Sequence, residues 1–502
     1  YRYLSTDPAL AGRTLTGGTT IAGRTTVENP YAGDAGYKAL QRPTETQYWD
    51  STNAYNGYTL FAAQGKTYLV DMQGRVAHSW SGGTDPRLLE SGNLLDWATD
   101  ASGNTGLRER DWNGNTVWSH FETRSGYHPH GDFRRIRDPK LGAYATLYLA
   151  NRDVTAAECL AAGCDPAGSP WAGAQVDTIV EVDASGTVVW EWSFWDHAVQ
   201  AVDSSKANYA GAGKSISDFP GRINLNLPGR PLQANWLDCN SLDYNQALDQ
   251  VVVNSRQGEL YVVDHGNTFV AGNPASSIAL AATSAGDFLY RFGDPARYGQ
   301  GNPPSVGTNW ETATSGNKQI GGSSNAQWIA SGIPGAGHLL VFDNNQYLYQ
   351  RTPQSYVFEI NPYLNSSGTD TGAYVNPPTA GYVTWTFDKD TMKANQLLSK
   401  QVVWKHGSLS NLTLFSHFGS SAQRLPNGNT LICATTEGYL VEVDASGNVV
   451  WEYINPVTDA GIVTESDPMR ILFKIKRYTS VRRGSCPPRK VNQPAPYGAP
   501  RY

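Results

Sequence analysis

Six times along the chain a turn leads into a short strand carrying tryptophan or an equivalent aromatic. The copies are GRVAHSW (Gly74–Trp80), GNTVW (Gly114–Trp118), GTVVWEW (Gly186–Trp192), DFLYRFG (Asp287–Gly293), QVVWKHG (Gln401–Gly407) and GNVVWEY (Gly447–Tyr453). Each follows a strand-like run that ends in an acid or amide, at Asp71, Asp111, Asp183, Asp264, Asn361 and Asp444. Apolar lead runs precede these in turn, such as ATLYLAN (Ala145–Asn151), QVVVNSR (Gln250–Arg256) and NTLICAT (Asn429–Thr435). Runs of five to seven residues rich in Val, Ile, Tyr and Trp, broken by short polar turns, are antiparallel hairpins. A small sheet cannot bury both its faces alone, so repeated sheets must stack, and radial stacking gives a propeller. Six units predict an all-β, six-bladed β-propeller, with the long spacings after the second unit taken up by inserted loops.

Composition agrees with that expectation. Charged residues make up 17% of the 502, below the roughly 25% of an ordinary globular chain. With 11% aromatics and 51 glycines, this excludes intrinsic disorder, coiled coil and collagen-like repeats. No run approaches the roughly 18 apolar residues of a membrane helix, so no membrane span is expected. The net charge of −6 is uneven: residues 470–502 hold nine basic and no acidic residues, which leaves the rest at −15. An acidic body would repel phosphate, so nucleic acid is not an expected partner.

The ends differ from the middle. Residues 1–50 read as an N-terminal arm, 51–460 as the propeller, 461–483 as a C-terminal strand (MRILFKIKRY) and 484–502 as an extended, basic, Pro-rich tail. A basic strap beside an acidic body suits electrostatic docking, and the expectation is a homo-oligomer or polymer formed through arm and tail. Cys159 and Cys164 stand close enough for a local disulfide if a turn intervenes. Cys433 reads as a buried thiol, while Cys239 and Cys486 remain as a pair that could tie the tail to the body. The spacing matches neither a zinc site nor haem attachment, the Asp-Ala-Ser-Gly turns lack the later carboxylates of a calcium loop, and no metal or cofactor is expected. A chain beginning at Tyr1 is read as a mature form whose signal peptide is gone, hence secreted or periplasmic.

Four segments just before lead strands are unusually polar: Tyr127–Ile136, Trp236–Asn245, Gly322–Ile329 and Ser416–Asn429. Together with NGYTLFAAQGKTYLVDMQGRVAHSW, VVWEWSFWDHAVQ, DFLYRFGDPARYG, GAGHLLVFDNN and AQRLPNGNTLICAT, they make the chain resemble the arylsulfotransferase family from about Gly57 to Tyr453. The resemblance implies transfer of a sulfuryl group between phenols through a sulfo-histidine, with further His and Arg side chains holding the sulfate oxygens. A neutral imidazole is a good nucleophile, and fixed cations stabilise the spreading anionic charge.

Against that pattern several positions differ. The family's His-His-Asp run is His130-Gly131-Asp132 here, and a family histidine aligns with Asp238, ahead of Asn240 and Ser241. A Gln-His-Asp run reads Ser323-Ser324-Asn325, and a Ser-Arg-Val phrase reads Ser355-Tyr356-Val357. His417 and His130 are the candidate catalytic residues that remain, while Asp132, Asp238, Asn240, Ser324, Asn325 and Tyr356 are the expected channel lining. Arg134, Arg135 and Arg256 are the cations nearest in sequence. Losing one preorganised donor can cost about 10²–10³ in rate, so the expectation is a catalytically degenerate member with a binding or assembly role. The alternative is an active aryl-sulfate sulfotransferase with His417 as nucleophile and His130 as helper. A phenolic or sulfated small molecule is the expected ligand in either case.

Overall fold

Each repeated phrase folds as its turn chemistry requires. In the computed structural model the acid that ends a strand caps the turn after it. Asp183 Oδ1 accepts from the Ser185 and Thr187 amides, Asp444 Oδ1 from Ser446 and Asn448, and Asn365 Oδ1 from Ser367 and Thr369. Asp71, Asp100 and Asp111 repeat the geometry. These are Asx turns, with the side-chain oxygens engaged by backbone amides.

The structure describes residues 45–165, 173–227, 235–303, 316–344, 354–376, 399–407, 414–458 and 472–479, with the short pieces 19–20, 387–388, 393–394 and 461–462. Within them lie five four-stranded sheets and one of six strands, four of which form its blade, the six blades of an all-β, six-bladed β-propeller. Blade I combines Phe473–Tyr478, Tyr58–Ala63, Lys66–Val70 and Val76–Ser81; blade II runs through Thr84–Leu88, Leu94–Thr99, Thr105–Arg110 and Thr116–Phe121. Blade III is Tyr127–Asp138, Ala143–Val154, Ala174–Asp183 and Val188–Ser193; blade IV is Cys239–Asn245, Gln250–Ser255, Glu259–Asp264 and Tyr290–Phe292. Blade V holds Ser323–Trp328, Leu339–Asp343, Tyr356–Ile360 and Val402–His406; blade VI holds Ser421–Arg424, Thr430–Ala434, Tyr439–Val443 and Val449–Ile454. No helix among the described residues is long and apolar enough to cross a membrane.

The chain divides into two compact units. Tyr1–Phe121, Ile329–Val357 and His406–Tyr502 form one, holding blades I, II and VI; Glu122–Trp328 and Phe358–Lys405 form the other, holding blades III and IV. The strands of blade V are divided between them. Inside each unit the closing-strand tryptophans reach the next blade. Trp190 Nε1 donates to Thr268 Oγ1, Trp192 Nε1 to the Gly286 carbonyl, Trp80 Nε1 to the Asp111 carbonyl and Trp451 Nε1 to the Met72 carbonyl. A buried indole needs such a partner, and these bonds fix how adjacent sheets meet.

The first unit ties both chain ends into sheets. Phe473–Tyr478 pairs with Tyr58–Ala63, and Glu45–Trp49 adds an outer strand to Val449–Ile454 of blade VI. Arg477, one of the nine basic residues near the C-terminus, is buried at this junction. Its Nη1 lies 2.5 Å from Glu442 Oε2 and 3.0 Å from the Tyr55 carbonyl, its Nε donates to Thr59 Oγ1, and its guanidinium stacks 4.3 Å above the Trp451 ring. The strap expected from charge counting is therefore partly core. The rest of the expected arm and tail lies almost wholly outside the described residues, as does Cys486.

Removing one member of a buried ion pair leaves a buried, uncompensated charge. Arg477→Met is expected to lose about 3–5 kcal/mol of unfolding free energy in urea titration, with Arg477→Met/Glu442→Leu recovering most of it. A single-variant loss under about 1 kcal/mol would remove this junction from the stability argument.

Candidate functional site

The polar segments before the first strands share a backbone device. Gly131, Asp238, Asn325 and Ser420 all have positive φ, between 53° and 84°. At three of the four starts the pairing is irregular or the strand begins directly after this residue, so the chain turns as it enters the sheet. At Gly131 the conformation demands glycine: φ is +68°, and a Cβ there would meet the Cys239 carbonyl oxygen at 3.0 Å and Leu149 Cδ1 at 3.1 Å. A side chain here would be strained and would press on the Cys239 carbonyl.

Past this turn, alternate residues tie one blade to the next. Asp132 Oδ2 accepts from the Leu242 amide and Oδ1 from Phe133; Ser241 Oγ accepts from Ala326, and Asp243 Oδ2 from Trp328. In the other unit Ser421 Oγ accepts from Ile475 and Gln423 Oε1 from Arg477. Asp132, an expected lining residue, is fully buried in this ladder.

The second unit brings together His130, Asp132, Asp238, Asn240, Ser324 and Asn325. His130 is one-quarter exposed, and its Nε2 stands 3.2 Å from Asp177 Oδ1 at an angle short of a hydrogen bond. Asp177 is buried, and the same oxygen accepts from the Cys239 amide. Asp238 Oδ2 faces Arg256 Nη1 at 3.5 Å, and Arg134 Nε donates to Asp243 Oδ1 at 2.7 Å. Asn240 is held on both sides: Nδ2 donates to the Ser323 carbonyl and Oδ1 accepts from Asn254. Asn240 Nδ2 also stands 3.4 Å from the buried Ser324 Oγ, and Asn325 Oδ1 accepts from Gln327.

Tyr356 and His417 belong to the other unit. Tyr356 is buried at the start of a blade V strand. His417 is half-buried, its ring edge-on to Phe418 with centroids 6.1 Å apart. Its segment is pinned through Ser416, whose amide donates to Ser355 Oγ while its Oγ accepts from the Thr436 amide.

Asp177 escaped the sequence reading because it sits in an apolar strand, AQVDTIVEVD. A carboxylate at an otherwise buried position was the one available signal. The cysteines divide. Cys159 and Cys164 form the expected local disulfide, with Cα atoms 5.3 Å apart. Cys239 corrects its expectation: it is a free thiol, buried opposite Ser255 in blade IV. Burial first, then Asp177 and Asp238, push its thiol well above the usual range, so the reactive thiolate is disfavoured.

Blades of this build define a β-propeller whose polar side chains collect where the first strands begin. Residues 172–465, more than half of the chain, match the family model of the arylsulfotransferases (ASST), and the chain belongs to that family. The matched stretch starts later than the resemblance read from about Gly57. No curated protein matches the chain. Among solved structures it is similar to a protein of unknown function from Bacteroides caccae, with a TM-score of 0.39 and 11% identity, covering 84% of this chain and 98% of that one. It is also similar to Saccharomyces cerevisiae Sqt1, with a TM-score of 0.30 and 10% identity over 79% and 70%. Neither likeness bears on function.

A left-handed backbone disfavours any Cβ, so Gly131→Ala should destabilise the protein by about 1–2 kcal/mol. Thermal unfolding with unchanged midpoint would show that this turn tolerates a side chain after all.

Proposed function

We propose that this arylsulfotransferase-family propeller is catalytically degenerate and serves a binding role outside the cell. One observation carries the reading: in the second unit three cations near the polar segments each stand beside a carboxylate. His130 has Asp177, Arg256 has Asp238 and Arg134 has Asp243. A sulfuryl group in flight needs cations whose charge is free for its three oxygens. A guanidinium already facing a carboxylate offers little net field, and Asp238 itself repels a sulfate ester. The Cys159–Cys164 disulfide supports an extracellular or periplasmic setting, where such bonds persist.

The competing reading, an active sulfotransferase, draws on the same Asp177–His130 pair, since a carboxylate beside an imidazole orients a catalytic histidine elsewhere in enzymology. An aryl sulfate donor with a phenolic acceptor separates the two. The wild type is expected to turn over no faster than His417→Ala and His130→Ala. Release of phenol at least tenfold above both variants would establish catalysis and end the degenerate reading.

Assembly through the terminal segments belongs to the same proposal. Beyond Tyr478 the chain carries four arginines and a lysine and no acid (Arg482, Arg483, Arg489, Lys490 and Arg501), a cationic tail for an acidic body. Truncation after Thr479 leaves the Arg477 junction intact. On gel filtration at low salt the full chain should elute as an oligomer and the truncated chain as a monomer; identical elution would discard the assembly role.

A further inference from the structure

The turn-and-strand phrase occurs as VEVDASGTVVW in blade III and VEVDASGNVVW in blade VI, so Glu181 and Glu442 occupy the same place in their sheets. Glu181 pairs across to Trp190, and Glu442 to Trp451. Both are fully buried. Their surroundings differ. Each oxygen of Glu442 meets donors: Oε2 meets Arg477, and Oε1 meets the Asn429 side chain and the Tyr55 amide. Glu181 Oε2 lies 2.7 Å from His265 Nε2, but Glu181 Oε1 has no hydrogen-bond partner.

Beside it stands a second buried carboxylate. Asp138 Oδ1 accepts from the Lys140 and Leu141 amides, whereas Asp138 Oδ2 also has no partner. One ligand atom from each of Asp138, Glu181 and His265 falls within 4.8 Å of the others. Two buried carboxylate oxygens facing each other are satisfied only by a shared proton or, when both are ionised, by a cation between them. The cations at hand are committed or shared: Lys140 Nζ donates to the Gly266 and Phe269 carbonyls, and His265 is held between Glu181 and Asp249.

The outer contacts have the form of a metal centre's support. His265 Nδ1 lies 2.6 Å from Asp249 Oδ1, and Asp249 Oδ1 also accepts from the Tyr244 hydroxyl. A carboxylate on the far nitrogen of a ligating imidazole fixes its tautomer and strengthens its donation. Trp190 packs edge-on against the His265 ring with centroids 4.9 Å apart, an apolar wall on one side that leaves the fourth ligand position to a water.

We propose that Asp138, Glu181 and His265 bind a divalent cation of the zinc class, oriented by Asp249, as a structural centre joining blades III and IV. Two carboxylate oxygens and one imidazole nitrogen suit zinc or manganese, whereas calcium takes six or more oxygens. The centre lies at the opposite end of the blade III first strand from His130, roughly 25 Å along it. It is therefore independent of the reading given for the polar segments.

The test uses tag-free, full-length protein, stripped with a chelator during unfolding and refolded with Zn²⁺ or Mn²⁺, then gel-filtered and analysed for bound metal. The wild type is expected to retain about one zinc per chain and to melt higher than the stripped protein. Asp138→Asn keeps an oxygen for the Lys140 amide, and Glu181→Gln keeps the shape of its site. Both should fold with unchanged far-ultraviolet dichroism yet retain at least tenfold less zinc. Wild-type protein that retains no zinc or manganese after refolding overturns the proposal, as does equal retention by folded Asp138→Asn.

Discussion

Everything in this chain depends on getting its last strand back to its first blade. Until Phe473–Tyr478 pairs with Tyr58–Ala63, blade I is a three-stranded sheet with an open edge, and such an edge exposes unpaired amides and carbonyls. The ordering entropy for that return is large, because the two strands are separated by nearly the whole sequence. Arg477 concentrates the compensating interactions in one side chain. It meets the Glu442 carboxylate from blade VI, the Thr59 hydroxyl from blade I, the Tyr55 carbonyl, and the face of Trp451. A lysine would reach one of these partners; the planar guanidinium reaches all of them at once. The outer strand Glu45–Trp49 covers the other edge of blade VI, so both chain ends are drawn into the same unit.

The ladder at the strand starts shows how such blades stay in register with side chains as different as Asp, Ser and Gln. What is needed at Asp132, Ser241 and Ser421 is an oxygen aimed at the amide of the neighbouring first strand. Any short acceptor supplies it, which makes the position variable in sequence and constant in geometry. The turn just before is varied too, with Asp238, Asn325 and Ser420 at positive φ, and at Gly131 a neighbouring carbonyl, that of Cys239, presses on the position.

That contrast explains which parts could be read from the sequence. Six blades and the Asx turns were legible because each rests on residues close together in the chain: Asp183 with Ser185, Glu181 with Trp190. The Cys159–Cys164 bridge was legible for the same reason. Asp132 was read as lining because nothing local announces that its partner is Leu242, 110 residues away. Asp177 was invisible inside an apolar run, and the strand holding Arg477 was legible while the burial of its guanidinium was not, because charge counting is blind to burial. The group of Asp138, Glu181 and His265 is harder still. Its residues come from two blades, and the link between His265 and Glu181 spans 84 positions. Metal-ligand spacing was sought along the chain, whereas these ligands are assembled by sheet stacking.

Fold and site chemistry separate cleanly in this architecture, and that separation makes a degenerate member physically reasonable. The side chains that hold blades together are Trp190, Trp451, Arg477, Asp132 and their bonded partners, none of which needs a free charge. The residues that would grip an anion stand at the strand starts, where His130 and Arg256 are partly exposed and paired with carboxylates. Asp238 has a structural use: its carbonyl accepts from the Arg256 amide while its carboxylate faces the Arg256 side chain. The Arg256 charge is thus met within the protein, which braces the loop and leaves it less field for an anion.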